Sequence, residues 1–197
     1  MNAKILKWGI ILSALIFFFF WTIVFIENRP IKVENTMTVI VKPESNTLVY
    51  EDSKGLFSLS YPKDFIVKDS SFIVPESMAT GTNLSRDSKI SVETKTASSS
   101  CSATVFADAS DITSKNKPQE ITIGTTTYST LTFSGAGAGN FYETTIYSTK
   151  ASSSCFALKL FLHSTNIGDY DPGTIKEFDK AKLLAIFAEM LQSFRIK

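Results

Sequence analysis

The 197-residue chain has one histidine, His163, and two cysteines, Cys101 and Cys155. A lone histidine leaves no histidine pair for a metal, and no G-x-S-x-G motif supplies a matched nucleophile for it despite the many serines. The cysteines are too far apart for a C-x-x-C redox pair, and two sulfurs are too few for a structural zinc site without more histidines. Net charge is scarce as well, with 20 basic against 19 acidic side chains. Lys4, Lys7 and Glu27 are the charged side chains of residues 1–27, so the remainder is neutral. A neutral body lacks the electrostatic footprint of a nucleic-acid binder and a polybasic patch for anionic lipid.

The most informative absence is local. No charged residue interrupts residues 8–26, which include the run Phe17-Phe18-Phe19-Phe20-Trp21. A helix of that length covers about 28 Å, close to one hydrocarbon thickness. The run is longer than a signal-peptide core. No A-x-A site follows it, and no cysteine stands there for lipoprotein processing. These features predict an uncleaved signal-anchor. Lys4 and Lys7 precede the run and Arg29 and Lys32 follow it, so the charge bias is slight. The short leading tail and the large body behind the run predict the amino end inside and the body outside. The expected organisation is a cytoplasmic tail at 1–7, a transmembrane helix at 8–26, a stalk at 27–47 with a strand at 36–41, and one extracytoplasmic domain at 48–197.

Two cysteines in an oxidising compartment suggest a Cys101–Cys155 bridge, the alternative being two separate thiols. Closing that loop would stabilise the fold by about 4 kcal/mol in the chain-entropy model. The domain reads as β-rich. Leu48-Val49-Tyr50 leads through a turn at Gly55 into a strand that places Phe57, Leu59 and Tyr61 on one face and Pro62 at its end. Phe65-Ile66-Val67 and Phe72-Ile73-Val74 form a pair of short strands, 75–88 reads as loop, and 89–94 as a strand. Residues 101–106 read as a further strand and 107–118 as loop. A hairpin at 120–133 turns at Gly124, and a longer one joins 141–149 to 155–163. In its second strand Phe156, Leu158, Leu160 and Leu162 share one face, and Cys155, Ala157, Lys159, Phe161 and His163 share the other. The stretch ending at Cys101 echoes the one ending at Cys155, which predicts two adjacent hairpins presenting their cysteines to each other.

One helix is expected near the end. Thr174-Ile175-Lys176-Glu177 has the form of a capping box behind Asp171-Pro172. Leu183, Ile186, Phe187, Met190, Leu191 and Phe194 follow at helical spacing and make a stripe to pack on the sheet. Arg195 and Lys197 suit the negative end of the helix dipole. The predicted fold class is α+β, an antiparallel sheet with a C-terminal helix across one face.

Ser134-Gly135-Ala136-Gly137-Ala138-Gly139-Asn140 is glycine-rich, but it leads into a strand and lacks a GK[ST] ending, so it reads as a turn or close backbone crossing. Asp169-Tyr170-Asp171-Pro172-Gly173 resembles the opening of a calcium loop, yet Lys180 stands where an EF-hand needs glutamate. His163 reads as a strand-end histidine with one hydrogen bond. Tyr128, Phe141, Tyr142, Tyr147 and Tyr170 are candidates for a ligand groove, against core packing or cross-strand pairing. No catalytic residue, metal ligand or cofactor is expected.

Gly55-Leu56-Phe57-Ser58-Leu59-Ser60-Tyr61-Pro62-Lys63-Asp64-Phe65 resembles the opening strand of PsbP-like domains, also called Mog1/PsbP-like, and Gln192-Ser193-Phe194-Arg195-Ile196 resembles their ending. The layout is similar to membrane-anchored bacterial extracytoplasmic proteins built on this domain. The resemblance implies an antiparallel sheet between helices and a non-enzymatic scaffold or binding role; it carries over no functional residue. The expected function is therefore an extracytoplasmic binding or assembly module whose partners are the membrane and an envelope protein or small ligand. The alternative is a cell-envelope hydrolase or carbohydrate-active enzyme.

Overall fold

The structure, a computed structural model, describes residues 46–97 and 100–197. The expected tail, transmembrane helix, strand at 36–41 and all but the last two residues of the stalk lie outside the described residues. Among those that are described, no helix is long and apolar enough to cross a membrane.

Two antiparallel sheets form the body. The smaller has the order β1 (Thr47–Glu51), β2 (Phe57–Pro62), β10 (Arg195–Ile196). The larger has seven strands in the order β3 (Ile66–Lys68), β4 (Ser71–Ile73), β5 (Lys89–Thr96), β9 (Ser154–Thr165), β8 (Asn140–Ala151), β7 (Thr126–Gly137), β6 (Gln119–Ile123). The helices are a single turn, α1 (Glu76–Ala79), and α2 (Lys180–Ser193). The α+β antiparallel architecture with a C-terminal helix on one face is as expected, with two sheets in place of one.

Strand parity assigns the faces of the large sheet. Leu158 lies opposite Tyr147 and Val92, and Leu160 opposite Thr145 and Ile90, so these share the face that meets α2. There Leu183, Phe187, Met190 and Leu191 of α2 join Phe57 and Leu59 of β2 and Phe156, Leu158 and Leu160 of β9 in the main core. Phe57 meets Phe156 edge-on at 6.4 Å, and Tyr147 meets Phe187 at 5.5 Å. Burying each such side chain contributes about 1.5–3 kcal/mol. The small sheet is tied to α2 through polar groups too: the Ser60 N–H donates to Ser193 Oγ at 2.9 Å.

Four expectations are corrected. Residues 101–106 are not a strand: Ala103–Phe106 is a 3₁₀ turn capped by Ser102. Both edges of β9 are already paired, with β5 and β8, so this segment finds no ladder and crosses the sheet face instead. Only Cys155 therefore sits in a hairpin, and the predicted pair of cysteine-bearing hairpins is replaced by one hairpin and this crossing strap. The helix begins at Lys180 with Asp179 as its cap, whose carboxylate accepts from the Lys182 N–H at 2.9 Å. The proposed box fails because the Lys176 N–H donates to the Gly81 carbonyl and the Phe178 N–H to Asn83 Oδ1, which holds that stretch extended. The 75–88 segment, in turn, is better anchored than a surface loop. It carries α1, and Asn83 is buried with its Nδ2 donating to the Thr165 carbonyl at 2.9 Å. At the carboxyl end Arg195 does reach the Gln192 and Phe194 carbonyls, whereas Lys197 pairs with Glu51 at 3.1 Å.

The glycine-rich segment is the tip of the long β7–β8 hairpin. Strand β7 runs through Gly137, and the turn is Ala138–Gly139 with φ of 49° and 75°. Two successive positive φ values are what a tight hairpin turn demands, and glycine meets the second without strain.

Candidate functional site

Among the described residues no α-helix lies over the second face of the large sheet. Ile146 lies opposite Leu131 and Lys159, and Ser148 opposite Ser129 and Ala157, so these side chains share that face with Cys155, Phe161, His163 and Tyr142. Part of it is covered by the strap that follows Cys101. Ala103 and Phe106 of the strap pack on Leu131, Ile146, Cys155 and Ala157 to form a second, smaller core. The strap is fastened covalently by the Cys101–Cys155 disulfide, with Cα atoms 5.4 Å apart. Disulfides persist in oxidising compartments, so the bridge fits a body exposed to one. Polar ties add to it: Ser148 Oγ donates to the Cys101 carbonyl at 2.7 Å, and the Ala103 N–H donates to Ser129 Oγ at 3.0 Å.

Beyond the strap the face stays open as a trough of about 630 Å³, within the size range of ligand sites. Its floor comes from β7, β8, β9 and β5 in register, with Phe133 opposite Thr144, Thr144 opposite Phe161, and Phe161 opposite Lys89. Tyr142 and Lys159 border it, and the strap end supplies Asp108 and Asp111. Lys159 spans from sheet to strap, pairing with Glu93 at 2.9 Å and donating to the Phe106 carbonyl at 3.2 Å.

At one end of this face stands His163. Its Nδ1 contacts the Asp87 carboxylate at 2.8 Å, and its Nε2 contacts Asn140 Oδ1 at 2.9 Å. The Asn140 amide is oriented by its own Nδ2 donating to the Ala138 carbonyl. Tyr142 stacks on the imidazole at 4.6 Å. The histidine thus makes two ring contacts where one was expected. It ties the hairpin tip to the 81–88 segment, and neither ring nitrogen is left to serve a nucleophile.

The five aromatic groove candidates do not all converge, although Phe141 and Tyr142 line one cleft together. Tyr128 and Tyr147 face α2, with rings 6.2 Å apart and Tyr128 fully buried. Burial pushes the Tyr128 phenol above its ordinary value, with the Thr126 hydrogen bond and the Arg195 charge pulling the other way. Phe141 lies on the helix side of the sheet in a second cleft of about 520 Å³ beside Leu162 and Phe178, near the Lys180–Glu143 ion pair. Tyr170 donates to or accepts from Thr165 Oγ1 at 3.0 Å. Of the five, Tyr142 alone borders the trough. Sequence reading passed over Phe133, Thr144, Phe161 and Lys159 as trough residues. The only available signal was the parity of β9, which had already placed Lys159 and Phe161 away from the helix.

No protein-family model matches the chain, and no curated protein matches it. Solved structures do. The Ran-binding protein Mog1p of Saccharomyces cerevisiae is 12% identical with a TM-score of 0.50, over 77% of this chain and 95% of that one. A single-residue variant of Mog1 gives the same identity and TM-score over 77% and 96%. A protein of Bacteroides thetaiotaomicron is 12% identical with a TM-score of 0.47 over 77% of this chain; the match spans about half the length of that protein, 49%. The chain has a Mog1/PsbP-like α+β fold. At this identity the fold is what the likeness establishes, and what Mog1p binds stays with Mog1p.

Proposed function

We propose that the chain is a membrane-anchored, extracytoplasmic binding or assembly module that receives its ligand in the trough beside the strap. The observation that carries this reading is the trough itself: a concave face built on paired strands and only partly covered by the strap. Its aromatic side chains, Phe106, Phe133, Tyr142 and Phe161, stand among charged groups that can orient a polar ligand. The disulfide supports the outer side of the membrane, and the uncharged run at 8–26 supports the anchor. A binding role is favoured over hydrolysis because both ring nitrogens of the lone histidine are engaged in holding the hairpin tip.

The test is site-specific photo-crosslinking in intact cells. A photoreactive phenylalanine analogue replaces Tyr142 at the trough or, as a control, Leu184, which is exposed on α2. A discrete adduct from position 142 in the membrane fraction, absent from position 184, supports the reading. Equal or no labelling at the two positions, or recovery of the protein in the soluble cytoplasmic fraction, overturns it.

A further inference from the structure

Thr144 stands at the floor of the trough, and its side chain lines it. The residue is only 9% exposed, yet among the described residues no hydrogen bond engages its hydroxyl. Among the described residues no buried side-chain nitrogen or oxygen lacks a partner, so this hydroxyl is one that still meets solvent and is free to hydrogen-bond a group that enters the trough. Around it the rings of Phe133 and Phe161 occupy the flanking strand positions, with Tyr142 next to them.

The charges of the trough are unequal. Glu93 and Lys159 neutralise each other. Asp69, Asp108 and Asp111 remain against Lys89, and none of the four has an ion-pair partner among the described residues. The trough therefore has an excess of two negative charges.

The chain itself already uses the seam between strap and sheet to hold lysines. Lys95 places its ammonium 5.1 Å from the centre of the Phe106 ring and donates to the Val105 carbonyl at 2.7 Å. Lys159, further along, donates to the Phe106 carbonyl. Both cations are received by strap carbonyls, one of them also over an aromatic ring. Going on along the strap, Asp108 and Asp111 come next, and among the described residues no lysine pairs with them.

Resting on the reading of the trough as a ligand site, we propose that its guest is a basic segment of a partner polypeptide. A lysine or arginine side chain lays its apolar stem on Phe133, Tyr142 and Phe161, and its charged head lies between the Thr144 hydroxyl and the Asp108–Asp111 rim. Rings receive such stems and heads well, and carboxylates give the head a charge-assisted partner.

The experiment is titration of the full chain in detergent micelles, with the disulfide intact and at low ionic strength. The probe is an end-blocked peptide with one lysine between two valines, followed by calorimetry and by the NMR signals of Thr144, Tyr142 and Phe161. Matched peptides carry norleucine or glutamate in place of the lysine. The lysine peptide is expected to bind about tenfold more tightly than either and to weaken with added salt. The D108N/D111N double variant, altered at the strap end and checked for an unchanged amide spectrum, should lose that tenfold preference while binding the norleucine peptide as before. Thr144→Val should weaken the lysine peptide alone. Equal binding of the lysine and norleucine peptides overturns the cationic class while leaving the trough a binding site, and preference for glutamate does the same. No shift of the trough signals with any peptide overturns the basic-segment proposal, and a position-142 crosslink would then still uphold a ligand of another kind.

Discussion

The two faces of the seven-stranded sheet are covered by different physical means. On one, a fourteen-residue helix and a three-stranded sheet bury a continuous layer of large apolar side chains. On the other, a short strap buries six residues and is fastened by a disulfide. Extensive hydrophobic area holds the first cover; a small apolar cluster, a covalent tie and a few polar contacts hold the second. On the proposed reading, a face that receives a ligand is not sealed by apolar burial, and a cross-link keeps a small cover in place without extending it.

That contrast breaks most visibly when the large core is damaged. Phe187→Ala removes a side chain packed on Tyr147 and should cost about 3–5 kcal/mol, seen as a large fall in the urea midpoint of the whole domain. Reducing the Cys101–Cys155 bridge comes next, at about 2–4 kcal/mol, with a melting temperature several degrees lower. If reduction left the transition unchanged, the strap would not depend on its cross-link. Lys159→Met removes the tie to Glu93 and to the strap carbonyl. Both partners are partly exposed, so the cost should be only about 0.5–1.5 kcal/mol, with faster proteolysis of the 107–118 stretch as the clearer sign.

The smallest effect concerns Tyr128 under the helix. Its folded phenol keeps its proton to a higher pH than the unfolded one. Stability is therefore full below the unfolded value of about 10 and is lost as pH rises through the folded value. Tyr128→Phe should flatten the alkaline limb of the pH–stability curve; an identical limb would mean that other groups set it.

The helix face was the more legible of the two in the sequence. Alternation in β2 and β9 and the stripe from Leu183 to Phe194 each point to one buried side, and those sides meet in the structure. Where local chemistry failed, tertiary contacts had overridden it. Thr174 and Glu177 have the form of a cap, but the backbone donors of Lys176 and Phe178 are taken by Gly81 and Asn83. The 101–106 segment has the composition of a strand, but β9 had no edge left to offer it. The trough was least legible, because its floor joins residues of four strands whose register no local window reveals. The aromatic candidates part for the same reason: the parity of Tyr128 and Tyr147 sends them under the helix, and that of Tyr142 sends it to the open side.

Amide hydrogen exchange of the full chain, followed with the disulfide intact and then reduced, tests most directly whether the two covers are held by different means. On reduction the Ala103, Val105 and Ala107 amides should exchange much faster while those of Leu183 to Leu191 keep their protection. Loss of protection in both regions together, at one common rate, would contradict the account.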